Sequence, residues 1–121
     1  MLDDSGIQSR LLARLLEASA LRARVISANI ANQNTPGYTR QVVQFEDLLR
    51  EAVGRGDVGL IDGLRPEVVE DRRTPARPDG NNVAMELELN SLRENRILYE
   101  TYSTIIAGHF EMLRAAVEES R

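Results

Sequence analysis

The fold of this chain is decided by one stretch, Asn29-Ile30-Ala31-Asn32-Gln33-Asn34-Thr35-Pro36-Gly37-Tyr38. A long helical pattern runs into it, and the composition changes beyond it. Asparagine side chains can bond the unpaired carbonyls at a helix end, and the residue before a proline favours extended geometry. Pro36 and Gly37 fit positions i+1 and i+2 of a type II turn, where glycine supplies the positive φ. The stretch therefore predicts a helix that stops and a chain that turns.

The residues before this stretch predict a long amphipathic helix from Ile7 to about Asn32. Apolar side chains recur there at steps of three or four, the period of one helix face. The members of this row are Ile7, Leu11, Leu15, Ala18, Leu21, Val25 and Ala28. The charged side chains are mostly arginine, so the segment carries a net positive charge.

The last third of the chain predicts a second long helix, from about Val83 to Glu118, with Asn82 as its N-cap. Apolar residues recur there at steps of seven, which is typical of a coiled coil. They are Met85, Leu92, Tyr99, Ile106 and Leu113. This row fits a core within the chain and a seam between subunits equally well. A second apolar stripe includes Leu98, Ile105 and Met112, and the segment is net negative.

The residues between the helices predict a turn and a mostly irregular connector. Thr39 to Gln44 could be extended, and Phe45 to Val53 favours a short helix that ends at Gly54. Val58 to Ile61 and Glu67 to Glu70 are candidate strands of a small β-hairpin. The helical period is lost from Gly54 to Asn82, which favours a functional arm or a segment ordered by a partner.

The predicted fold is therefore mainly α, with two long terminal helices in an antiparallel coiled coil. Residues 1–34 supply the first helix, residues 35–82 the turn and irregular connector, and residues 83–121 the last helix. Two helices cannot cover two apolar stripes each. The excess apolar surface predicts self-association or co-assembly.

Composition argues against several classes of function. The chain has 121 residues, no cysteine and a net charge of −4. An acidic balance disfavours a nucleic-acid binder, and the lack of cysteine excludes disulfides, cysteine metal sites and thiol catalysis. His109 has no neighbouring partner for general-base or metal chemistry, and no glycine-rich phosphate loop is present. We expect no catalytic residue, no cofactor, no metal and no small-molecule substrate.

The N-terminus has no basic region followed by an apolar run, which predicts no cleavable signal peptide. No stretch approaches the roughly 20 apolar residues of a membrane span. Composition by itself therefore predicts a soluble cytoplasmic protein.

The run Ala28-Asn29-Ile30-Ala31-Asn32-Gln33-Asn34-Thr35-Pro36-Gly37-Tyr38 resembles the signature of the flagellar basal-body rod proteins. In that family, Ala-Asn-(Ile/Met)-Ala-Asn-x-x-Thr-Pro-Gly-Tyr closes a long first helix. Further residues are similar to the proximal rod members, whereas residues 54–74 carry almost no resemblance. These further residues are Phe45 to Leu49, Asp79 to Val83, Glu88, Asn95, Tyr99 and Leu113 to Val117. Ala84 departs from the family, which commonly has an acidic residue there.

The resemblance implies a non-enzymatic structural subunit of the proximal rod, part of the drive shaft for motility. It implies export without a cleaved signal through the flagellar type III apparatus, and helical assembly with itself and other rod and basal-body proteins. It places the protein in the periplasmic rod, which replaces the cytoplasmic prediction. The turn motif is expected to use Asn29, Asn32, Thr35, Pro36, Gly37 and Tyr38. Helix packing and assembly are expected to use Leu15, Leu21, Val25, Met85, Leu92, Tyr99, Ile106 and Leu113.

Three other interpretations remain open at this point. The chain could be a sister proximal rod subunit, because Gly37-Tyr38-Thr39-Arg40-Gln41 is closer to hook-junction proteins. It could be a soluble coiled-coil adaptor that binds an unrelated helix. A small enzyme is the least favoured, since no constellation of catalytic residues is present.

Overall fold

A computed structural model describes residues 4–120 of the chain, as four helices and two short strands. The parts of the predicted terminal segments at residues 1–3 and 121 lie outside the described residues. The predicted mainly helical fold is confirmed, with two long terminal helices, a short connector helix and a two-stranded antiparallel sheet. The elements in order are α1 (Asp4–Ala31), β1 (Gln41–Gln44), α2 (Glu46–Arg55), α3 (Val58–Gly63), β2 (Glu67–Glu70) and α4 (Met85–Glu119).

The two long helices pack against each other in opposite directions. The buried Asn95 of α4 donates its Nδ2 hydrogen to the Ser19 carbonyl of α1 at 2.7 Å. Farther along α1, Asn29 reaches Glu88, which is nearer the start of α4. With 28 and 35 residues, the helices are roughly 42 and 52 Å long. Because α4 is the longer helix, its last turns are left without α1 beside them.

Three arginines of α1 bind the connector rather than the acidic side chains of α4. Arg10 pairs with Asp62 at 2.8 Å, and Arg14 donates to the Leu64 carbonyl. Arg22 pairs with Glu46 of α2 at 2.6 Å while it also donates to the Oδ1 of Asn95. The opposite charges of the two helices therefore do not meet directly among residues 4–120.

The small sheet forms between different residues from those expected. β2 is present at Glu67–Glu70, but its partner is β1, in a register that pairs Gln41 with Glu70 and Gln44 with Glu67. The predicted strand at Val58 to Ile61 is wrong, because these residues lie in α3. The Asp57 side chain accepts a hydrogen bond from the Leu60 amide at 3.0 Å, which is an N-cap that starts a helix. The connector is thus more regular than predicted.

Two predicted helix boundaries are also corrected. α2 continues to Arg55 and ends at Gly56, whose φ of 65° is left-handed, rather than at Gly54. α4 begins at Met85 with Ala84 at its N-cap position, and no side chain caps it. The predicted cap, Asn82, is buried and bonds to the connector instead.

Within residues 4–120, the interior contains about as many polar as apolar side chains. Buried apolar residues are Ala18, Val25, Ile26, Val43, Phe45, Ala52 and Val83, and the aromatic Phe45 is the largest of them. Buried polar residues are Ser19, Asn29, Asn81, Asn82, Glu88 and Asn95. A buried polar group must find hydrogen-bond partners or lose several kcal/mol. These side chains therefore restrict the fold to arrangements that satisfy them.

Candidate assembly site: a polar junction beside an open helix face

The Thr35–Tyr38 turn follows the end of α1 after three intervening residues. The Tyr38 amide donates to the Thr35 carbonyl at 3.2 Å, and Gly37 has a φ of 74°. These are the hydrogen bond and the left-handed residue that a type II turn requires. The helix end is closed by Asn32, whose Nδ2 donates to the Ala28 carbonyl at 2.8 Å. The turn sends the chain from α1 into β1.

Asn29 joins α1, β1 and α4 through its side-chain amide. Its Oδ1 accepts hydrogen bonds from the Gln41 amide at 2.9 Å and the Tyr38 hydroxyl at 3.1 Å. Its Nδ2 donates to the Gln41 carbonyl at 2.8 Å and to the Glu88 Oε2 at 3.3 Å. All four hydrogen-bonding positions of a primary amide are therefore used.

Glu88 is a fully buried carboxylate that binds Arg40. The Arg40 Nε lies 2.7 Å from the Glu88 Oε1, and the Arg40 Nη1 pairs with the Oδ2 of Asp71. One guanidinium thus links the start of β1, the residue after β2 and the first turns of α4. A buried carboxylate without such a partner would be strongly destabilising.

Two adjacent asparagines fasten the chain just before α4. The Asn81 Nδ2 donates to the carbonyls of Asn32 and Thr35, both at 2.8 Å, and so binds the turn after α1. The Asn82 Oδ1 accepts from the Arg40 amide at 2.6 Å, and its Nδ2 donates to the Asp71 carbonyl at 2.7 Å. We call Asn29, Arg40, Asp71, Asn81, Asn82 and Glu88 together the polar junction.

Two glycines meet where the turns on either side of the connector touch. Gly37 and Gly80 both have positive φ, of 74° and 85°. A Cβ on Gly80 would lie 3.2 Å from the Cα of Gly37, closer than side chains normally approach backbone. The Gly37 amide also donates to the Asp79 carbonyl at 2.8 Å. This contact brings the end of α1 and the start of α4 together.

The junction shifts the pKa values of its titratable groups. The Thr74 hydroxyl and the Arg40 guanidinium both bond Asp71 and hold the pKa of that carboxyl well below its usual range. Burial opposes the charge of Arg40, but the hydrogen bonds that Arg40 donates to Glu88 and Asp71 outweigh it and raise the Arg40 pKa. Burial, and then the charge of Glu88, raise the pKa of Tyr38. The charged carboxylate of Asp71 and the neutral phenol of Tyr38 are thus the favoured forms.

The structure separates the predicted turn residues into two groups. Asn29 and Tyr38 point inward to the polar junction, whereas Thr35, Pro36 and Gly37 are exposed. Asn29 does not cap a helix carbonyl as expected, since its amide reaches Gln41 and Glu88. Asn32 does bond such a carbonyl, and its Oδ1 accepts from the Thr35 hydroxyl at 3.1 Å.

The predicted packing residues are only partly covered. Val25 is buried, and Tyr99 and Leu113 are 44% and 43% exposed. The others are half-buried, namely Leu15, Leu21, Met85, Leu92 and Ile106. Within α4 the only fully buried side chains are Glu88 and Asn95, both polar. The contribution of the apolar row to assembly stays a prediction.

Exposed apolar side chains lie along α4 as a result, on more than one side of the helix. The most exposed are Ile97, Phe110, Met112 and Val117, which are 57 to 74% exposed. Further exposed apolar residues on the helix are Leu87, Leu89, Leu98 and Ile105. Uncovered apolar surface of this kind marks a region that binds another protein.

Sequence reasoning missed most of the polar junction. Arg40 and Asp71 gave no local signal, because their partners lie in other elements. Glu88 stands out in the sequence only as a point of resemblance to the rod proteins. A polar residue on the apolar side of α4 is the signal that could have identified Glu88 and Asn95.

No helix among residues 4–120 is long and apolar enough to cross a membrane. The same residues contain no cluster of three or more histidine, aspartate or glutamate side chains that could hold a metal ion.

Comparisons with known proteins agree on one family. Residues 16–39, the second half of α1 and the turn, match the family model described as flagella basal body rod protein. The flagellar basal body rod protein FlgB of Escherichia coli K12 is 30% identical over 128 residues, which cover 92% of this chain and 93% of that protein. FlgB of Borrelia hermsii is 29% identical, over 87% of this chain and 91% of that protein. FlgB of Bacillus subtilis is 27% identical, over 88% and 89%. Since the similarity spans both terminal helices and the junction between them, the chain belongs to the FlgB family of flagellar basal body rod proteins.

Proposed function

We propose that this protein is a structural subunit of the proximal rod in the bacterial flagellar basal body. The observation that carries the proposal is the contrast between the two ends of α4. Its first turns are fixed by the polar junction, whereas its apolar side chains from Ile97 onward are largely uncovered. A helix that is fixed at one end and has uncovered apolar side chains along the rest is suited to a protein whose packing is completed by neighbouring subunits.

The proposed partners are further copies of this chain and other rod and basal-body proteins. In a helical array, each subunit uses two different surfaces, because a head-to-tail contact joins unlike patches. The side chains that we expect to make these contacts lie along α4, at Tyr99, Ile106 and Leu113. Leu15, Leu21 and Val25 of α1, with Met85 and Leu92, are proposed to hold the helix pair itself.

The proposal includes an export route and a location in the cell. The subunit is exported through the flagellar type III apparatus without a cleaved signal peptide and assembles in the periplasmic part of the rod. Its role there is mechanical rather than enzymatic, as part of the drive shaft. Support for these points comes from the family to which the chain belongs.

Gene deletion followed by imaging of isolated basal bodies tests this function. We expect the deletion strain to be non-motile and to lack a complete rod, and the wild-type gene to restore both. A complete rod in the deletion strain would contradict the proposal, and so would a tagged protein that is absent from basal bodies.

Substitution of Gly37 tests whether the turn motif is needed for assembly. We expect Gly37→Val to be exported but not assembled, because a β-branched side chain is strained at a φ of 74°. Gly54→Ala is the matched control, since a Cβ at Gly54 meets no atom within 4 Å and its φ is not left-handed. Normal motility of the Gly37→Val strain would show that the turn is not needed for assembly.

A further inference from the structure

A shallow groove lies between the two long helices and is lined by no residue of the connector. Its volume is about 650 Å³. It is lined by small side chains from α1, Ala20 and Ala23, and by Leu92 and Tyr99 from α4. We call this surface the α1–α4 groove. The small side chains on the α1 side let another helix approach closely.

Arginines flank the α1–α4 groove and are available to bind a partner. Arg24 is exposed and makes no hydrogen bond or ion pair with other residues among 4–120. Arg96 pairs with Glu100 one turn along α4, but its side chain is 82% exposed, so this pair contributes little. The groove is therefore apolar at its centre and basic at its rim.

The end of α4 carries acidic groups, opposite in charge to the arginines at the rim of the groove. We call residues 105–119 the α4 tail. Its apolar side chains include Phe110, Met112 and Val117, which are all more than half exposed. Its charged side chains are Glu111, Arg114, Glu118 and Glu119, and Arg114 is paired with Glu118. Glu111 and Glu119 make no ion pair with other residues among 4–120, so the tail combines apolar side chains with acidic groups.

One molecule cannot bring its own tail to its own groove. Asn95 lies level with Ser19, and about fifteen residues, some 22 Å, lead from Ser19 back to Asp4 and from Asn95 forward to Phe110. The residues after Phe110 therefore run past the beginning of α1. Because α4 is one continuous helix, its tail points away from the groove. Only a second molecule can join the two surfaces.

We propose that the α4 tail of one copy of this chain lies in the α1–α4 groove of the next copy. The contact buries exposed apolar side chains of the tail against the apolar lining of the groove and places Glu111 and Glu119 near Arg24 and Arg96. It joins unlike surfaces, so it propagates rather than closing as a dimer. This inference rests on the proposed function and specifies one subunit contact within it.

Engineered cysteines test the contact directly, because the natural chain has none. Ala23→Cys would be combined in turn with Phe110→Cys, Met112→Cys and Val117→Cys, in cells that carry the variant as their sole copy. We expect at least one pair to give covalent dimers and higher ladders of this chain in oxidised, purified basal bodies. Arg50→Cys with Met112→Cys is the matched control, since Arg50 is 82% exposed on α2, away from the groove. We expect no ladder from the control.

Charge reversal tests whether the acidic tail recognises the basic rim. We expect the pair Arg24→Glu and Arg96→Glu to lower the ladder yield about tenfold. Glu111→Arg with Glu119→Arg is expected to do the same. All four changes in one chain are expected to restore the yield, because opposite charges again face each other. A merely structural effect of the substitutions would not be reversed in this way.

The results separate this inference from the proposed function. If the chain is found in complete rods but none of the three cysteine pairs forms a ladder, the tail–groove contact is wrong and the rod function stands. A crosslink from the groove to a different protein would likewise overturn the contact between copies. If the wild-type chain is absent from basal bodies, both proposals fail.

Discussion

Asn29 is the residue on which the arrangement of this molecule depends most. Its amide is fully buried, and its four hydrogen bonds reach Tyr38, Gln41 and Glu88. Each partner belongs to a different part of the fold, namely the turn, β1 and α4. A side chain that satisfies donors and acceptors in three segments at once fixes their mutual position.

Asn29→Asp should therefore lower the free energy of unfolding by about 3 kcal/mol. A carboxylate cannot donate to the Gln41 carbonyl, and it would stand beside the buried charge of Glu88. Urea denaturation followed by circular dichroism measures the change. Asn34→Asp is the matched control, because Asn34 is exposed three residues beyond the end of α1 and should change stability by less than about 0.5 kcal/mol. Equal effects at both positions would show that the buried hydrogen bonds of Asn29 do not stabilise the fold as proposed.

Gly80→Ala should destabilise the protein more than Gly37→Ala. Both residues have positive φ, which costs a residue with a Cβ roughly 1–2 kcal/mol. Only at Gly80 would the new Cβ also press on backbone, 3.2 Å from the Cα of Gly37. Gly54→Ala should raise stability by about 0.5 kcal/mol, because it adds no contact and restricts the unfolded chain. Thermal unfolding of the three variants gives the order, and a Gly80→Ala protein as stable as wild type would contradict it.

For individual residues, the sequence predicts interactions with neighbours in the chain but not with residues far away in the chain. The Thr35–Tyr38 turn is predictable because proline and glycine act on their own backbone. The partners of Asn29 are not, since Glu88 lies 59 residues away in the chain. The same applies to Asn82, which looks like a helix cap but bonds Arg40 and Asp71 across the connector.

Among the elements, the long helices are predictable and the connector is not. Sustained apolar periods over many turns identify α1 and α4, whose type does not depend on a precise boundary. Val58 to Ile61 is too short for a period to decide between strand and helix, and the Asp57 cap favours the helix. β2 was recognised, but its pairing with β1 depends on the Arg40 pairs with Asp71 and Glu88 that hold the sheet beside α4.

The attachment of β2 should weaken in acid. The folded state lowers the pKa of Asp71 below its unfolded value of about 3.9. A lowered pKa stabilises the fold above that value, and the contribution is lost as the pH falls through the folded pKa. We expect wild type to be more stable than Asp71→Asn at pH 6, and the difference to shrink steadily below pH 4. Thermal unfolding of both proteins across this range measures it, and a difference that does not change with pH would exclude an ion-pair contribution.

In the whole molecule, the tertiary contacts described above are concentrated at the end that contains the polar junction. The polar junction holds the end of α1, the sheet and the start of α4, whereas the α4 tail has only exposed or half-buried side chains. Helical hydrogen bonds without tertiary packing open readily, because isolated helices of this length are marginal in water. The stability of the isolated subunit should therefore fall along α4 from Glu88 towards Glu119.

Hydrogen exchange of the dilute protein should make this gradient visible. We expect the amides of residues 105–119 to exchange at least about tenfold faster than those near Asn95, and to become protected in assembled rods. Mass spectrometry of peptic fragments resolves the two regions, and amides near Val25 serve as the protected reference on α1. A tail protected as well as Asn95 in the monomer would mean that its packing is complete without a partner.

The hydrogen bonds between Asn29 and Gln41 also block one edge of the sheet against pairing with another chain. Arg40 accepts a hydrogen bond from the Asp71 amide, so in the alternating pattern of an antiparallel pair Gln41 turns its amide and carbonyl away from β2. A strand edge with such free groups invites a foreign strand and is a common origin of aggregation. The Asn29 amide occupies both groups, as the backbone of a third strand would. The same side chain that orders the monomer thus closes the sheet edge at Gln41, and directs association to the helical surfaces.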